Sequence, residues 1–184
     1  MQSTPIVRQE ARVAIRHPSP DDAEEFIALN RASAALHSAW VTPPTTPEQF
    51  AAYLERSRRE DTACFLVCRN TDSRILGAVN LSQIFYGNFQ NAYMGYYIGA
   101  PFASHGYMTE AVALVLDHAF GPLQLHRIEA NIQPDNQASI ALVRRLGFTL
   151  EGFSRRYLRI DGEWRDHQRW AILAEDWSRL HAVE

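Results

Sequence analysis

The sequence predicts an α/β (α+β) fold built on a single mixed, mostly antiparallel sheet of about seven strands. Segments rich in aromatic and β-branched residues alternate polar and apolar positions, and turn residues join them as hairpins. Other segments repeat apolar residues at helical spacing, in the overall order β α α β β β α β α β β. The 184 residues, 46% of them hydrophobic, suit one domain with a sizeable core.

The first half of the chain carries one predicted strand and two predicted helices. The strand lies at residues 12–16, after a loose lead-in over residues 1–10. Asp21 and Asp22 fit the first turn of the next helix, because negative charge is favourable at that end. After a proline-rich loop, Thr46 is a candidate N-cap for a second helix that begins with proline and has glutamine at its third position.

The second half is rich in strands, which hairpin-type turns and two helices connect. The predicted elements are strands at residues 63–69, 74–82 and 91–99, a helix at 107–120, a strand at 126–132, a helix ending at about 146, and strands at 148–160 and 164–173.

Charge and cysteine content exclude several classes of protein and site. The net charge of −3 gives no basic field for nucleic acid, and no apolar run approaches the length of a membrane span. Cys64 and Cys68 lie four residues apart on one predicted strand, about 13 Å from each other, which is too far for a disulfide. Two cysteines are also too few for a zinc site. We therefore expect reduced thiols, no metal, no membrane association and a cytoplasmic protein.

The stretch of residues 93–110 connects a strand to a helix through a short loop. Gly106 permits close approach of a ligand to the backbone and opens the helix that begins at Tyr107. The first turn of a helix has unpaired N–H groups and a partial positive charge, so it can bind phosphate without a cationic side chain. The spacing matches neither GxxxxGK[ST] nor GxGxxG. An ordinary βα turn therefore remains the alternative interpretation.

Several motifs of the second half resemble those of one enzyme family. They are the run QPDNQAS at residues 133–139, RLGF at 145–148, EG at 151–152, GAVN at 77–80, GYYIG at 95–99, HRI at 126–128 and the stretch 157–167. With the order of elements, these motifs resemble the GCN5-related N-acetyltransferase (GNAT) family, and within it the ribosomal-protein-alanine N-acetyltransferases. The resemblance covers about residues 10–177, which we take as the domain, leaving residues 1–9 and 178–184 as terminal extensions.

This resemblance implies a sheet with helices on both faces and two central parallel strands splayed apart. It implies acetyl-CoA as co-substrate, with the donor's arm laid between those strands and hydrogen-bonded to β-strand backbone. The residues expected to bind acetyl-CoA are Tyr97, Ile98, Gly99, Ser104, His105, Gly106, Tyr107, Met108, Thr109, Asn136, Ser139 and Arg145.

The loop before the helix departs from the family pattern. An Arg or Gln usually stands where this chain has Ala103, and a glycine is common at the position of Ser104. Gly106 remains, and the phosphate-binding groups are backbone N–H groups, so we expect acetyl-CoA binding to survive. The effect on affinity is open, and a non-catalytic acyl-CoA-binding protein is one alternative.

Acetyl transfer to an amine requires a neutral amine, a polarised carbonyl oxygen and a proton for the leaving thiolate. A backbone N–H at Tyr97 or Ile98 is the candidate oxyanion donor. By the family resemblance Ser139 is the acid that protonates the thiolate, and its alternative role is that of a first-turn hydroxyl. No base follows from the family, because the position that carries a glutamate in a related subgroup is Leu158 here.

The sequence offers several candidates for the acceptor amine, its pocket and the base that takes its proton. His167 has a suitable intrinsic pKa for a base but is also a candidate packed histidine, and loss of the proton to water is a further possibility. Trp40, Asn80, Tyr96 and His167 are candidates for the acceptor pocket, each with a structural alternative. We expect the N-terminal α-amine of a protein, such as a ribosomal protein, as acceptor. A small-molecule amine is the alternative, and the protein would act as a monomer or homodimer.

Overall fold

The structure, a computed structural model, describes residues 5–181, which form one eight-stranded sheet. The strand order is β1-β2-β3-β4-β5-β6-β8-β7. The strands are β1 (Ile6–Gln9), β2 (Val13–Arg16), β3 (Thr62–Arg69), β4 (Ile75–Phe85), β5 (Asn91–Ile98), β6 (Arg127–Ile132), β7 (Thr149–Ile160) and β8 (Glu163–Leu173).

Six α-helices and two 3-10 turns occur within residues 5–181. The helices are α1 (Ala23–Ala32), α2 (Ala34–His37), α3 (Pro47–Ser57), α4 (Tyr107–Phe120), α5 (Gln137–Arg145) and α6 (Ala174–His181). The longest of them, α4, has 14 residues, whereas about 20 apolar residues are needed to cross a bilayer.

The N-terminal and C-terminal ends differ most from the predicted elements. Strand β1 pairs antiparallel with β2, where the sequence predicts only a loose lead-in. This strand has four residues and no fully buried position, so no alternating pattern marks it. Helix α6 extends the fold through residue 181 and buries Trp177. The remaining parts of the predicted extensions, residues 1–4 and 182–184, lie outside the described residues.

Helices cover both faces of the sheet, as the family resemblance implies. On one face, Asn80 of β4 accepts a hydrogen bond at 2.8 Å from the Tyr53 hydroxyl of α3. Its cross-strand partner is Cys64, and the next residue along β3, Phe65, contacts the ring of His118 in α4 at 5.3 Å. Successive strand residues face opposite sides of a sheet. Helices α3 and α4 therefore lie on opposite faces.

The two central strands, β5 and β6, are parallel and separate after three residue pairs. Asn91, Ala92 and Tyr93 pair with residues 127, 128 and 129, and no pair follows. Beyond this point β5 stays bonded to β4, and β6 stays bonded to β8. Helix α4 makes the crossover between them. The predicted splayed parallel pair is thus confirmed, and it opens a gap that begins at residue 94.

The two cysteines are free and buried in β3, as the sequence predicts. Burial raises the pKa of both thiols, that of Cys68 to about 11. Both are therefore neutral and unreactive near pH 7, because the thiolate is the nucleophilic form.

Candidate functional site

A cavity of about 460 Å³ fills the gap between β5 and the two helices α4 and α5. One end lies at the first turn of α4, and the other reaches the chain after α2. Its lining residues are Leu36, His37, Trp40, Val41, Tyr96, Tyr97, Ile98, Ala103, Ser104, Gly106, Met108, Thr109, Asn136, Ala138, Ser139, Ala141, Leu142 and Arg145. We call this space the donor cavity.

The end of the donor cavity at α4 presents backbone N–H groups. Gly106 is the N-cap of α4 and has φ of +82°, a left-handed conformation that glycine adopts without a Cβ clash. The helical hydrogen bonds begin with the N–H of Thr109, which donates to the Gly106 carbonyl at 3.0 Å. The N–H groups of Tyr107 and Met108 precede that bond and are free to bind an anion.

Arg12 holds this loop from outside the cavity. Its Nη1 donates to the His105 carbonyl at 3.1 Å, and its Nε donates to Oε1 of Glu110 at 2.6 Å. Its guanidinium also lies 5.0 Å from the centroid of the Tyr107 ring. The loop therefore has a fixed conformation although Ala103 lacks the long polar side chain usual in the family. Glu110 pairs with Arg12 and thereby helps to hold the loop.

Only alternate residues of β5 direct their backbone groups into the gap. The Gly99 N–H donates to the Leu76 carbonyl at 2.7 Å, so it belongs to the β4 ladder. Hydrogen-bonded pairs alternate in an antiparallel ladder, and the Tyr97 N–H therefore also faces β4. The N–H of Ile98 faces the gap. Of the two predicted oxyanion donors, the ladder leaves Ile98 available and engages Tyr97. It also engages the N–H of Gly99, which the sequence predicts as a residue that binds the arm of acetyl-CoA.

His37, which the sequence analysis did not predict as a site residue, forms a hydrogen bond to the carbonyl of Ile98. Its Nε2 lies 2.8 Å from that oxygen and must donate the hydrogen, because a carbonyl only accepts. The ring is buried and packs edge-on against Tyr97, with 5.3 Å between centroids. This contact holds the end of β5 against α2 and leaves the Ile98 N–H as the free group at that residue.

The start of α5 places Asn136 and Ser139 at the middle of the gap. The Asn136 side chain caps the helix by accepting from the Ser139 N–H at 3.1 Å. The Tyr96 hydroxyl lies 3.4 Å from the Ser139 carbonyl oxygen, which links β5 to α5 across the gap. Burial raises the pKa of Tyr96 to about 12, so its hydroxyl stays protonated at neutral pH.

A second cavity of about 140 Å³ adjoins the donor cavity. The two share Trp40, Val41, Tyr96, Asn136 and Ser139. The other residues that line it are Met94, Gly95, Ala130, Asn131, Ile132, Gln133 and His167. It reaches the shared wall from the side of β6 and β8. We call it the acceptor cavity, because its lining includes Trp40, Tyr96 and His167, which the sequence predicts for the acceptor pocket.

The structure therefore brings most of the predicted site residues together. Trp40, Tyr96 and His167 line the acceptor cavity, whereas the predicted Asn80 lines neither cavity and bonds Tyr53 instead. His105 and Tyr107 stack on each other beside the donor cavity but contribute no lining side chain. Within residues 5–181, no group of three or more metal-ligating side chains occurs.

Several lining residues were missed by sequence reasoning. Ala138, Ala141, Leu142 and the predicted Arg145 follow one face of α5, and this i, i+3, i+4, i+7 spacing was a readable signal. Asn131 gave no signal, because a single asparagine in a strand identifies no site.

The comparison with family descriptions decides the identity of this fold and site. Residues 12–149 match the family described as the acetyltransferase (GNAT) domain. The chain belongs to the GNAT acetyltransferase family. It is an acetyl-CoA-dependent N-acetyltransferase.

Known GNAT proteins resemble the chain in sequence and structure. The probable N-acetyltransferase YjcK of Bacillus subtilis is 40% identical over 129 residues, covering 70% of this chain and 71% of that protein. The uS5-alanine N-acetyltransferase of Escherichia coli is 39% identical over 107 residues, covering 58% of this chain and 55% of the enzyme. Mycobacterium smegmatis RimJ in complex with CoA-disulfide superposes with a TM-score of 0.83 at 29% identity, covering 93% and 88% of the two chains.

Proposed function

We propose that this GNAT enzyme transfers the acetyl group of acetyl-CoA to the N-terminal α-amine of a protein, by direct attack. One observation carries the proposal: two cavities meet at a shared wall that contains Tyr96, Asn136 and Ser139. One cavity offers groups suited to a thioester with a pyrophosphate tail. The other leads an amine to the same wall from the opposite side.

The donor cavity fits acetyl-CoA in its chemistry as well as its extent. The N–H groups at the start of α4 suit a pyrophosphate, and Arg145 adds a cation on the α5 side. The gap-facing backbone of β5 suits the amides of the pantetheine arm. A small-molecule site commonly has a volume of about 300–1,000 Å³, and the 460 Å³ of this cavity lies within that range.

The reaction forms one N–C bond and breaks one C–S bond. The amine nitrogen attacks the thioester carbonyl carbon, and the Ile98 N–H stabilises the negative charge that develops on oxygen. The sulfur leaves as thiolate and takes a proton from the Ser139 hydroxyl. An ammonium loses two protons when it becomes an amide. One of them ends on the sulfur, and the other passes to solvent.

The lining of both cavities favours an α-amine over a polyamine. No Asp or Glu lines either cavity, so the described site offers no carboxylate to a second ammonium. The acceptor cavity is small, which suits a chain end that carries a small first residue. The Escherichia coli relative acts on an alanine of ribosomal protein uS5, and a ribosomal protein is the acceptor that we propose here.

A panel of acceptors tests the proposal through the release of CoA thiol. We expect turnover with peptides that begin with alanine or serine, and none with the same peptides acetylated at the N-terminus. Spermidine and amino sugars serve as the small-amine arm. Turnover with small amines alone would contradict the proposal. A rise in Tm with CoA but no thiol release from any amine would instead support a non-catalytic acyl-CoA-binding protein.

A further inference from the structure

Two polar residues line the acceptor cavity and have no part in the proposed donor-side chemistry. They are His167, in β8, and Asn131, in β6. The atoms of interest are His167 Nε2 and Asn131 Oδ1. We infer that these two atoms hold the acceptor amine and that His167 Nε2 takes the proton which the ammonium must lose before it attacks. This inference rests on the proposed function and extends it to the acceptor side.

The tautomer of His167 follows from its hydrogen bond. Its Nδ1 lies 3.0 Å from the carbonyl oxygen of Arg165, and a carbonyl only accepts, so Nδ1 carries the hydrogen. In the neutral ring Nε2 then has a free lone pair. His167 is only 3% exposed, and it lines the acceptor cavity. The ring therefore offers its Nε2 lone pair as a base to a ligand in that cavity.

Asn131 supplies a second hydrogen-bond acceptor in the same cavity. Its Oδ1 is buried and has no hydrogen-bond partner within the described protein. A buried acceptor without a partner is unfavourable, and native proteins keep few of them. Because this residue lines the acceptor cavity, an N–H of a bound amine can satisfy it. The cavity lining includes these two hydrogen-bond acceptors and no Lys or Arg side chain. It therefore favours a ligand with several N–H groups.

Burial favours the neutral form of His167. Burial lowers its pKa, although the bond to the Arg165 carbonyl and the nearby Asp166 oppose that shift. The Asp166 carboxylate accepts a hydrogen bond from the Arg156 N–H at 2.7 Å, in the neighbouring strand. Tyr157 packs edge-on against the ring with 6.1 Å between centroids, and Tyr96 is the other titratable group of the cavity lining.

The proton balance of the proposed reaction is then complete. The ammonium gives one proton to His167 Nε2, and the neutral nitrogen attacks the carbonyl carbon. The proton on His167 passes to solvent through the acceptor cavity after product forms. The second nitrogen proton replaces the one that Ser139 gives to the thiolate. No oxidant, metal or further reactant is needed.

The pH dependence of His167→Gln tests this role, with His126→Gln as the matched control. His126 is a half-exposed histidine that contacts Glu175 and lines neither cavity. With an alanine-starting peptide at pH 7, we expect kcat of His167→Gln to fall by about tenfold, because only about a tenth of an α-amine with a pKa near 8 is already neutral. At about pH 9 most of the peptide α-amine is already neutral, and the loss should shrink markedly. His126→Gln should follow the wild type at both pH values.

A second variant separates binding of the amine from stability. Asn131→Leu should raise KM for the peptide roughly tenfold, the effect of one lost hydrogen bond to an ammonium. Its KM for acetyl-CoA should not change, and its Tm should not fall, because Oδ1 has no partner to lose. A lower Tm with unchanged peptide KM would assign Asn131 a structural role and overturn its part of the inference.

The tautomer can be measured without turnover, by the ring ¹⁵N chemical shifts of His167 in the free protein. We expect a neutral ring protonated at Nδ1 at pH 7. Protonation at Nε2 would overturn the inference. So would a His167→Gln variant whose activity falls by one constant factor at all pH values, or not at all. A wild-type protein that acetylates no N-terminal peptide would instead count against the proposed function.

Discussion

Ser139 combines a position in the first turn of α5 with exposure to both cavities. The cap of this helix is the Asn136 side chain, which accepts from the Ser139 backbone N–H. The serine is half-buried and lies at the wall where the two cavities meet. This arrangement favours a chemical role for the hydroxyl over the structural alternative that the sequence left open.

Replacing Ser139 with alanine should remove the proton donor of the thiolate and leave the helix intact. We expect kcat to fall by about 10²-fold, with KM for acetyl-CoA and Tm nearly unchanged. Ser178→Ala is the matched control, because that exposed serine of α6 bonds only the Ala174 carbonyl, at 2.8 Å. Single-turnover thiol release measures the chemical step. Equal rates for Ser139→Ala and the control would leave Ser139 with a structural role.

Gly106 is needed for its backbone conformation and for the space beside it. A Cβ at this position would lie 3.1 Å from Arg12 Nη2, and φ of +82° strains any other residue. Gly106→Ala should cost about 1–2 kcal/mol of stability and should also weaken CoA binding. Gly162→Ala is the control, since Gly162 has φ of +80° in the β7–β8 turn with no atom within 4 Å of the new Cβ.

Calorimetric titration with CoA separates the two glycine variants. Both should lose similar stability, because the backbone strain is nearly the same. Only Gly106→Ala should lose affinity, because its loop carries the N–H groups proposed for the pyrophosphate. Equal CoA affinity in the two variants would remove α4 from the proposed binding site.

At the scale of elements, an ion pair joins the end of β2 to the start of α1. Asp22 accepts from Arg16 Nη1 at 2.9 Å and Nη2 at 2.6 Å, and also from the Ser19 N–H at 2.7 Å. The sequence placed Asp21 and Asp22 in the first turn of α1. The structure places both in the 3-10 turn before it, with Asp22 as the N-cap residue of α1.

Asp22→Asn should destabilise the protein most at neutral pH, by about 3 kcal/mol, because it leaves a half-buried Arg16 without its counter-ion. Burial alone would raise the pKa of Asp22, but the hydrogen bonds from Arg16 and Ser19 outweigh it and lower the pKa. The contribution is therefore complete above the unfolded pKa of about 3.9 and is lost as pH falls through the lower folded value.

Urea unfolding between pH 7 and pH 3 measures this dependence. The difference between wild type and Asp22→Asn should shrink below about pH 4. Asp21→Asn is the control, because Asp21 is the neighbouring residue and its side chain is exposed. The free energy of unfolding of this variant should stay within about 0.5 kcal/mol of that of the wild type. A difference that does not depend on pH would show that the ion pair is not its source.

At the scale of the whole molecule, the donor cavity is built from three separate parts of the chain. The first part is α2 with the loop that follows it. The second is the end of β5 with the start of α4, and the third is one face of α5. A ligand in this cavity joins these parts and binds only the folded state. Binding should therefore stabilise the entire domain.

CoA at about 100 times its Kd should stabilise the fold by about 2.7 kcal/mol. For a chain of this length that corresponds to a rise in Tm of roughly 5–10 °C. Pantetheine is the matched ligand, because it lacks the pyrophosphate proposed to bind at α4, and it should give a smaller shift at equal concentration. No rise in Tm with millimolar CoA would contradict the donor site.

Much of this architecture could be predicted because its signals are local. Thr46 caps α3 by accepting from the Gln49 N–H, as the sequence predicts, since side chain and N–H lie three residues apart. The hairpin between the last two predicted strands, β7 and β8, and the glycine before α4 were also correct. Strand β1 was missed because its four residues have no buried position and therefore no alternating pattern. Helix α6 was missed although its first turn carries the acidic residues typical of a helix start.

The sequence by itself determined the family, the order of the main elements from β2 to β8 and the glycine that opens α4, because periodicity, caps and left-handed turns act over a few residues. The tertiary structure alone decided which N–H groups of β5 remain free, since that depends on the register between β4 and β5. It also brought Asn131 and His167 to the same cavity as Ser139. These residues lie on β6, β8 and α5, and only the splaying of two parallel strands leaves the space in which they meet.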